Sequence, residues 1–73
     1  MLVEKTLNFI QSEVKESKKG NIYQVVNFLD NGETVRAIFY GEEEIKLNQF
    51  EKVTVKIKVV LGKYSRLELV EVL

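Results

Sequence analysis

The chain of 73 residues contains no cysteine, no histidine and a single aspartate, Asp30. These are the side chains most used in zinc sites, nucleophilic triads and acid–base pairs, so we do not expect an enzyme. The four glycines stand apart at positions 20, 32, 41 and 62. A phosphate-binding loop needs clustered glycines, so we expect each of these to serve a turn, and the sequence implies no cofactor.

Long apolar runs are also missing. No stretch approaches the roughly 20 apolar residues that a membrane helix needs. The start of the chain, residues 1–5, has neither the cationic block nor the apolar block of a secretion signal. Together with the absence of cysteine, this predicts a cytoplasmic protein that does not associate with a membrane.

The length of the chain predicts one domain over residues 1–73. A chain this short buries only about 60% of the surface that its unfolded form exposes, so its stability margin is small. Small scaffolds usually add disulfides, a metal or oligomerisation. Because cysteine and histidine are absent, we expect self-association, as a homodimer or a higher homo-oligomer.

Two runs rich in Val, Ile, Phe and Tyr flank the dipeptide Asn31-Gly32. Asn-Gly readily supplies the two residues with positive φ that a type I′ turn requires. The sequence therefore predicts a β-hairpin with strands over residues 22–30 and 33–40. Neither face of its first strand is fully polar, so alternation leaves open which face lines the core. Arg36 marks the outer face of its second strand.

Three further strands are predicted. Residues 52–61 alternate most regularly, with valine and isoleucine inward and lysine outward. Residues 64–72 form a strand whose alternation slips near Val70, which indicates either a bulge or a change in what the strand packs against. Residues 3–16 carry incomplete helical and strand patterns, and we favour a long bent strand, with a helix as the alternative.

The remaining apolar and aromatic residues are assigned mainly to the core. Between residues 41 and 49, an acidic run followed by apolar side chains predicts a turn, or a short helical turn, that places the apolar side chains under the sheet. A cation site in the acidic run is much less favoured than a solvated turn. The acidic residues of that segment are Glu42, Glu43 and Glu44, and its apolar residues are Ile45 and Leu47. The aromatic residues given a structural role are Phe9, Phe28, Phe39, Phe50 and Tyr40.

Five strands, a bent first strand and no long helix predict an all-β fold, a small five-stranded Greek-key barrel of the OB-fold type. In that fold the ligand crosses the second and third strands, between the loop joining strands one and two and the loop joining strands four and five. Bases and aromatics coincide in all of these places. The candidate nucleic-acid-binding residues are Lys15, Lys18, Lys19, Tyr23, Arg36, Lys63, Tyr64 and Arg66.

This combination predicts non-catalytic binding of single-stranded DNA with little dependence on base sequence. Stacking on an aromatic ring contributes roughly 1–3 kcal/mol per base whatever the base, and each cation adds a salt-sensitive phosphate contact. RNA is not distinguished from DNA by these contacts. The formal net charge of zero, eleven bases against eleven acids, favours the alternative, a protein-interaction or assembly barrel that binds no nucleic acid.

Two short segments, Lys19-Gly20-Asn21-Ile22-Tyr23 and Leu61-Gly62-Lys63-Tyr64-Ser65-Arg66-Leu67, resemble the corresponding segments of the filamentous-phage gene-five-type single-stranded DNA-binding proteins. The likeness covers about residues 15 to 72. Those proteins are OB-fold homodimers that coat replicating single strands cooperatively. The resemblance therefore implies a role in the replication of a phage, plasmid or similar mobile element.

The resemblance also implies roles for individual residues. Tyr23 would be the stacking tyrosine after the Lys-Gly turn, and Tyr64 would be the aromatic at the tip of the late hairpin. Lys18, Arg36 and Arg66 would contact phosphates.

Overall fold

The computed structural model describes residues 1–41 and 43–73. Its secondary structure consists of strands, as predicted, and residues 3–16 belong to a strand and not to a helix. Within the described part of the chain there is no helix of the length and hydrophobicity needed to cross a membrane. The five strands are β1 (Leu2–Glu16), β2 (Ile22–Asp30), β3 (Glu33–Phe39), β4 (Lys52–Val60) and β5 (Arg66–Val72).

The strands form a closed barrel in the order β1-β2-β3-β5-β4. The long strand β1 takes part twice, because residues 2–8 pair antiparallel with β4 and residues 8–16 pair antiparallel with β2. Strands β3 and β5 run parallel and meet at the pair formed by Ile38 and Glu68. This arrangement confirms the predicted all-β, five-stranded barrel of the OB-fold type.

A bulge lies where β1 changes partners. Phe9 pairs with Phe28 of β2 and Gln11 pairs with Asn27, so that Ile10 is an extra residue between them. An extra residue bends a strand and increases its twist. The bulge therefore lets β1 leave β4 and continue along β2.

The predicted bulge near Val70 is also present. Leu69 pairs with Ile57 of β4 and Glu71 pairs with Lys56, which leaves Val70 between them without a partner in β4. This accounts for the slip of the hydrophobic alternation in the sequence.

The hairpin of β2 and β3 has the predicted turn. Asn31 has a φ of 50° and Gly32 a φ of 82°, the two positive values that a type I′ turn needs. The turn sets the register in which Asp30 faces Glu33. Because register decides which side chains share a face, this turn determines which residues of β2 and β3 lie together on each face of the hairpin.

The core is built from alternate residues of all five strands. Ile45 and Leu47, from the connection between β3 and β4, pack against it as predicted, in a segment that is neither strand nor helical turn. Glu42, in the same connection, lies outside the described residues. The buried core residues are Leu7, Phe9, Val26, Phe28, Ala37, Val53, Val55, Ile57 and Leu69.

The assignment of Phe50 to the core is wrong, because its side chain is 60% exposed. Phe50 has a φ of 65°, a left-handed conformation that is rare for a bulky residue. Its backbone N–H donates to the carbonyl of Phe9, where the chain turns into β4. That turn directs the ring outward, whereas Phe39 is half-buried against the core.

Candidate nucleic-acid interface

The outer face of β2 and β3 carries two tyrosines side by side. Val26 and Phe28 of β2 point into the core, so alternation directs Tyr23 outward. Gln24 pairs with Phe39, and one step further the register sets Tyr23 opposite Tyr40. The two rings lie with centroids 6.4 Å apart and planes inclined by 47°.

Arg66, the first residue of β5, lies next to Tyr40. Its Nε donates to the Glu68 carboxylate oxygen Oε2 at 2.8 Å. This hydrogen bond and charge pair, together with a smaller contribution from the Tyr40 hydroxyl, raise the pKa of Arg66 above its ordinary value. Tyr23 of β2, Tyr40 directly after β3 and Arg66 of β5 thus lie next to one another, and we call these three residues the tyrosine strip.

Two features fix the chain that follows Tyr40. Gln24 is buried, and its Nε2 donates to the backbone carbonyl of Glu43 at 2.6 Å. A Cβ added at Gly41 would collide with the ring of Phe39, so a side chain at this position requires that ring to move. Tyr40 is therefore held between an anchored strand end and an anchored loop, although its own side chain is 56% exposed.

Lys15 extends the tyrosine strip on the other side. It lies directly opposite Tyr23 in the pairing of β1 with β2. Its Nζ is 3.3 Å from Oε2 of Glu13. The loop from Ser17 to Asn21 follows, and carries Lys18 and Lys19, both exposed.

Arg36 lies on the same outer face as the strip, nearer the start of β3. It faces Asn27 of β2 and is exposed. Arg36 and Arg66 each stand two residues before the paired residues Ile38 and Glu68. Because side chains two apart on a strand share a face, both arginines leave the barrel on this face.

Lys63 and Tyr64 belong to the loop between β4 and β5 and not to a strand. Lys63 Nζ lies 5.7 Å from the centroid of the Tyr64 ring, which is 78% exposed. Because β5 runs parallel to β3, this loop lies level with the start of β3, whereas Tyr40 follows the end of β3. Lys63 and Tyr64 thus stand at the far end of the face.

The structure therefore brings most of the predicted residues together on one face. Lys15, Tyr23, Arg36 and Arg66 share it, with the loop of Lys18 and Lys19 at one end and the loop of Lys63 and Tyr64 at the other.

Tyr40 was missed by the sequence reasoning, which gave it a structural role. Two signals in the sequence point to it. It alternates in phase with Arg36, and the register set by Asn31-Gly32 pairs position 40 with Tyr23.

The lysines on the outer face of β4 lie elsewhere. The neighbours of β4 in the barrel are β1 and β5, so its face does not adjoin β2 or β3. Lys56 Nζ lies 3.5 Å from Oε1 of Glu71. The cationic pattern of this strand thus forms a solvated wall and adds no charge to the tyrosine strip.

Glu43 and Glu44 of the acidic run are exposed. Among residues 1–41 and 43–73, no three carboxylates come together in a way that would hold a metal ion.

Comparison of the chain with protein-family models, with curated proteins and with solved structures finds no match.

Proposed function

We propose that this protein binds single-stranded DNA without catalysing a reaction and with little dependence on base sequence. The observation that carries the proposal is the pair of adjacent tyrosines, Tyr23 and Tyr40, on the outer face of β2 and β3 with Lys15 and Arg66 beside them. In OB-fold barrels this is the face that ligands cross.

The two rings give successive bases somewhere to stack. Each stacked base contributes roughly 1–3 kcal/mol, and because every base has a π-face the contribution depends little on sequence. Tyr23 lies in β2, which pairs with β1 on one side and with β3 on the other. Tyr40 follows directly after β3. Binding therefore orders few side chains, which keeps the entropic cost low.

The cations differ in how readily they reach a phosphate. Lys15 and Arg66 are already paired with Glu13 and Glu68, so a phosphate must compete with a carboxylate for them. On this face and in the loop from Ser17 to Asn21, Lys18, Lys19 and Arg36 are exposed and form no ion pair with any described residue. We expect binding that depends on salt through a small number of phosphate contacts.

The proposed biological setting is a cytoplasmic coat on single strands during replication of a phage, plasmid or similar mobile element. It is supported by the resemblance of the segments around Tyr23 and Tyr64 to the gene-five-type proteins. In that setting the protein acts as a homo-oligomer.

Titration with a pyrimidine-rich oligonucleotide tests the proposal directly. The chain has three tyrosines and no tryptophan, so tyrosine fluorescence reports on the interface. We expect quenching that weakens steeply with added salt, and much weaker quenching by a duplex of the same sequence, whose bases are not free to stack. Titration with an RNA oligonucleotide of the same sequence shows whether the protein prefers DNA or RNA. Absence of both quenching and a mobility shift at low salt would contradict the proposal and leave the protein-interaction barrel.

A further inference from the structure

Strand β1 has one edge without a partner. Phe9 is its last residue bonded on the β4 side, through its N–H to the carbonyl of Glu51 at 2.9 Å. Beyond Phe9, residues 10–16 pair with β2 on one edge, and no described residue pairs with their other edge. An open strand edge is a template for pairing with another chain.

The hydrogen bond from the N–H of Ser17 to the carbonyl of Asn21, 2.8 Å long, shows which backbone groups face this edge. It extends the ladder between β1 and β2, whose register is uninterrupted from Gln11 onward. Alternate residues of an antiparallel strand direct their N–H and C=O groups to the same neighbour. The odd-numbered residues 11–17 therefore bond towards β2, and the N–H and C=O groups of Ser12, Val14 and Glu16 point to the open edge.

The side chains along this edge are complementary to themselves. If two copies pair antiparallel with Val14 opposite Val14, each Glu13 lies opposite Lys15 of the second copy. The two neighbouring registers that use the same backbone groups are centred on Glu13 or on Lys15, and they place like charges opposite each other. Opposite charges directly across a strand pair stabilise it and like charges destabilise it. The charge pattern thus selects one register.

The apolar side chains near the edge are exposed in the single chain. Val14 is 71% exposed and Ile22, on the adjacent strand, is 67% exposed. Both lie on the core-facing side of the pair of strands β1 and β2, where this pair extends past the core. Val14 pairs with the buried Gln24, and Ile22 stands two residues before Gln24 on the same strand. Pairing centred on Val14 brings the two copies of Val14 together, whereas Ile22 stays separated from the second copy by β1 of its own chain.

We propose that two copies of this chain form a symmetric dimer by antiparallel pairing of their β1 edges, centred on Val14. The hairpins of both copies then form one continuous sheet in the order β3-β2-β1-β1-β2-β3. Tyr23 lies opposite Lys15 on the outer face, so both copies of Tyr23 share that face, about 16 Å apart from the spacings of strands and residues. This last consequence rests on the proposed function, whereas the dimer itself does not.

Sedimentation equilibrium of the full chain without oligonucleotide tests the dimer. We expect the unaltered chain to dimerise. We expect Glu13→Lys and Lys15→Glu, each of which places like charges opposite each other twice, to raise the dimer dissociation constant about tenfold or more. An equimolar mixture of these two variants regains opposite charges at every contact, and we expect it to dimerise like the unaltered chain.

A second kind of variant removes a hydrogen bond without changing charge. Val14→Pro removes an N–H that faces the open edge and is absent from the ladder with β2, so we expect a folded monomer. Circular dichroism checks the fold.

The dimer proposal is overturned if the unaltered chain stays monomeric at every accessible concentration, or if both single charge variants dimerise as the unaltered chain does. Neither result concerns DNA binding, because oligonucleotide is absent. Conversely, failure to bind an oligonucleotide leaves the dimer measurement intact.

Discussion

The two faces of the hairpin formed by β2 and β3 come from one alternating stretch of sequence and one turn, yet they serve different purposes. On the inner face Val26, Phe28 and Ala37 are fully buried. On the outer face Tyr23 is half-buried and Tyr40 is mostly exposed. The buried residues of the inner face form part of the core, whereas the tyrosines of the outer face add little to the stability of the fold.

Binding and stability can therefore be separated in this hairpin. The inner residues hold the strands rigid, and the strands in turn hold the tyrosine rings in place without using them as core. Substitutions on the inner face should therefore remove stability, and substitutions on the outer face should remove affinity.

Phe28→Ala should have the largest effect. Phe28 is fully buried and packs edge-to-face against Phe9, with ring centroids 6.2 Å apart. Truncating a buried phenylalanine costs about 3–5 kcal/mol, which is most of the stability of a domain this small. We expect a chain that is largely unfolded at room temperature, measured by urea unfolding followed by circular dichroism.

Phe50→Ala is the matched control, because it removes the same side chain from an exposed position. We expect it to change the free energy of unfolding by less than about 1 kcal/mol. Equal losses of unfolding free energy in the two variants would contradict the assignment of Phe28 to the core and of Phe50 to the surface.

Tyr23→Ala and Tyr40→Ala should come next. Each removes one stacking surface worth roughly 1–3 kcal/mol, so we expect oligonucleotide affinity to fall about tenfold or more in each variant. The free energy of unfolding should change much less than in Phe28→Ala. Fluorescence anisotropy of a labelled oligonucleotide measures the affinity, because the tyrosine signal itself is altered by the substitution.

Tyr23→Phe and Tyr40→Phe are the corresponding controls. They keep the ring and remove the hydroxyl, so affinity should stay within about threefold of the unaltered chain if stacking carries the binding. Affinity that falls as far with phenylalanine as with alanine would argue for hydrogen bonding by the hydroxyls instead.

Glu68→Gln should produce a smaller change of the opposite sign. The carboxylate of Glu68 accepts the hydrogen bond of Arg66 at 2.8 Å. Removing its charge frees the guanidinium for a phosphate, so we expect affinity to rise about threefold, with a steeper dependence on salt. Glu71→Gln, which frees Lys56 on another wall of the barrel, should leave affinity nearly unchanged. An equal gain in both variants would point to net charge alone.

Much of this fold could be predicted from the sequence. Asn31-Gly32 specified the turn and therefore the register, and the slip at Val70 marked a bulge that the structure contains. What alternation left open was which face of β2 lies inside, since both carry apolar residues. That choice depends on packing against β4 and β5, which lie far away in sequence. The hydrogen bond from the N–H of Phe50 to the carbonyl of distant Phe9, in the turn where Phe50 has a positive φ, likewise has no signal in the local sequence.

The candidate site was predictable in part. Alternation and the turn signals indicated Tyr23 and Arg36 as neighbours on a hairpin, and they would have indicated Tyr40 had the register been followed one step further. The pairing of Arg66 with Glu68 required the two side chains to take up compatible rotamers, which a sequence pattern does not show. The distance of Lys63 and Tyr64 from the tyrosine strip depended on the parallel pairing of β3 and β5.

Tyr64→Ala should have the smallest effect. Tyr64 lies in the loop before β5 and outside the tyrosine strip, so a base that stacks there must also order the loop, and Lys63 already lies over the ring. We expect affinity for an oligonucleotide of about 12 nucleotides to fall about twofold, and affinity for one of about 4 nucleotides to stay unchanged. A loss with the shorter oligonucleotide as large as that of Tyr23→Ala would show that the two regions form a single compact site.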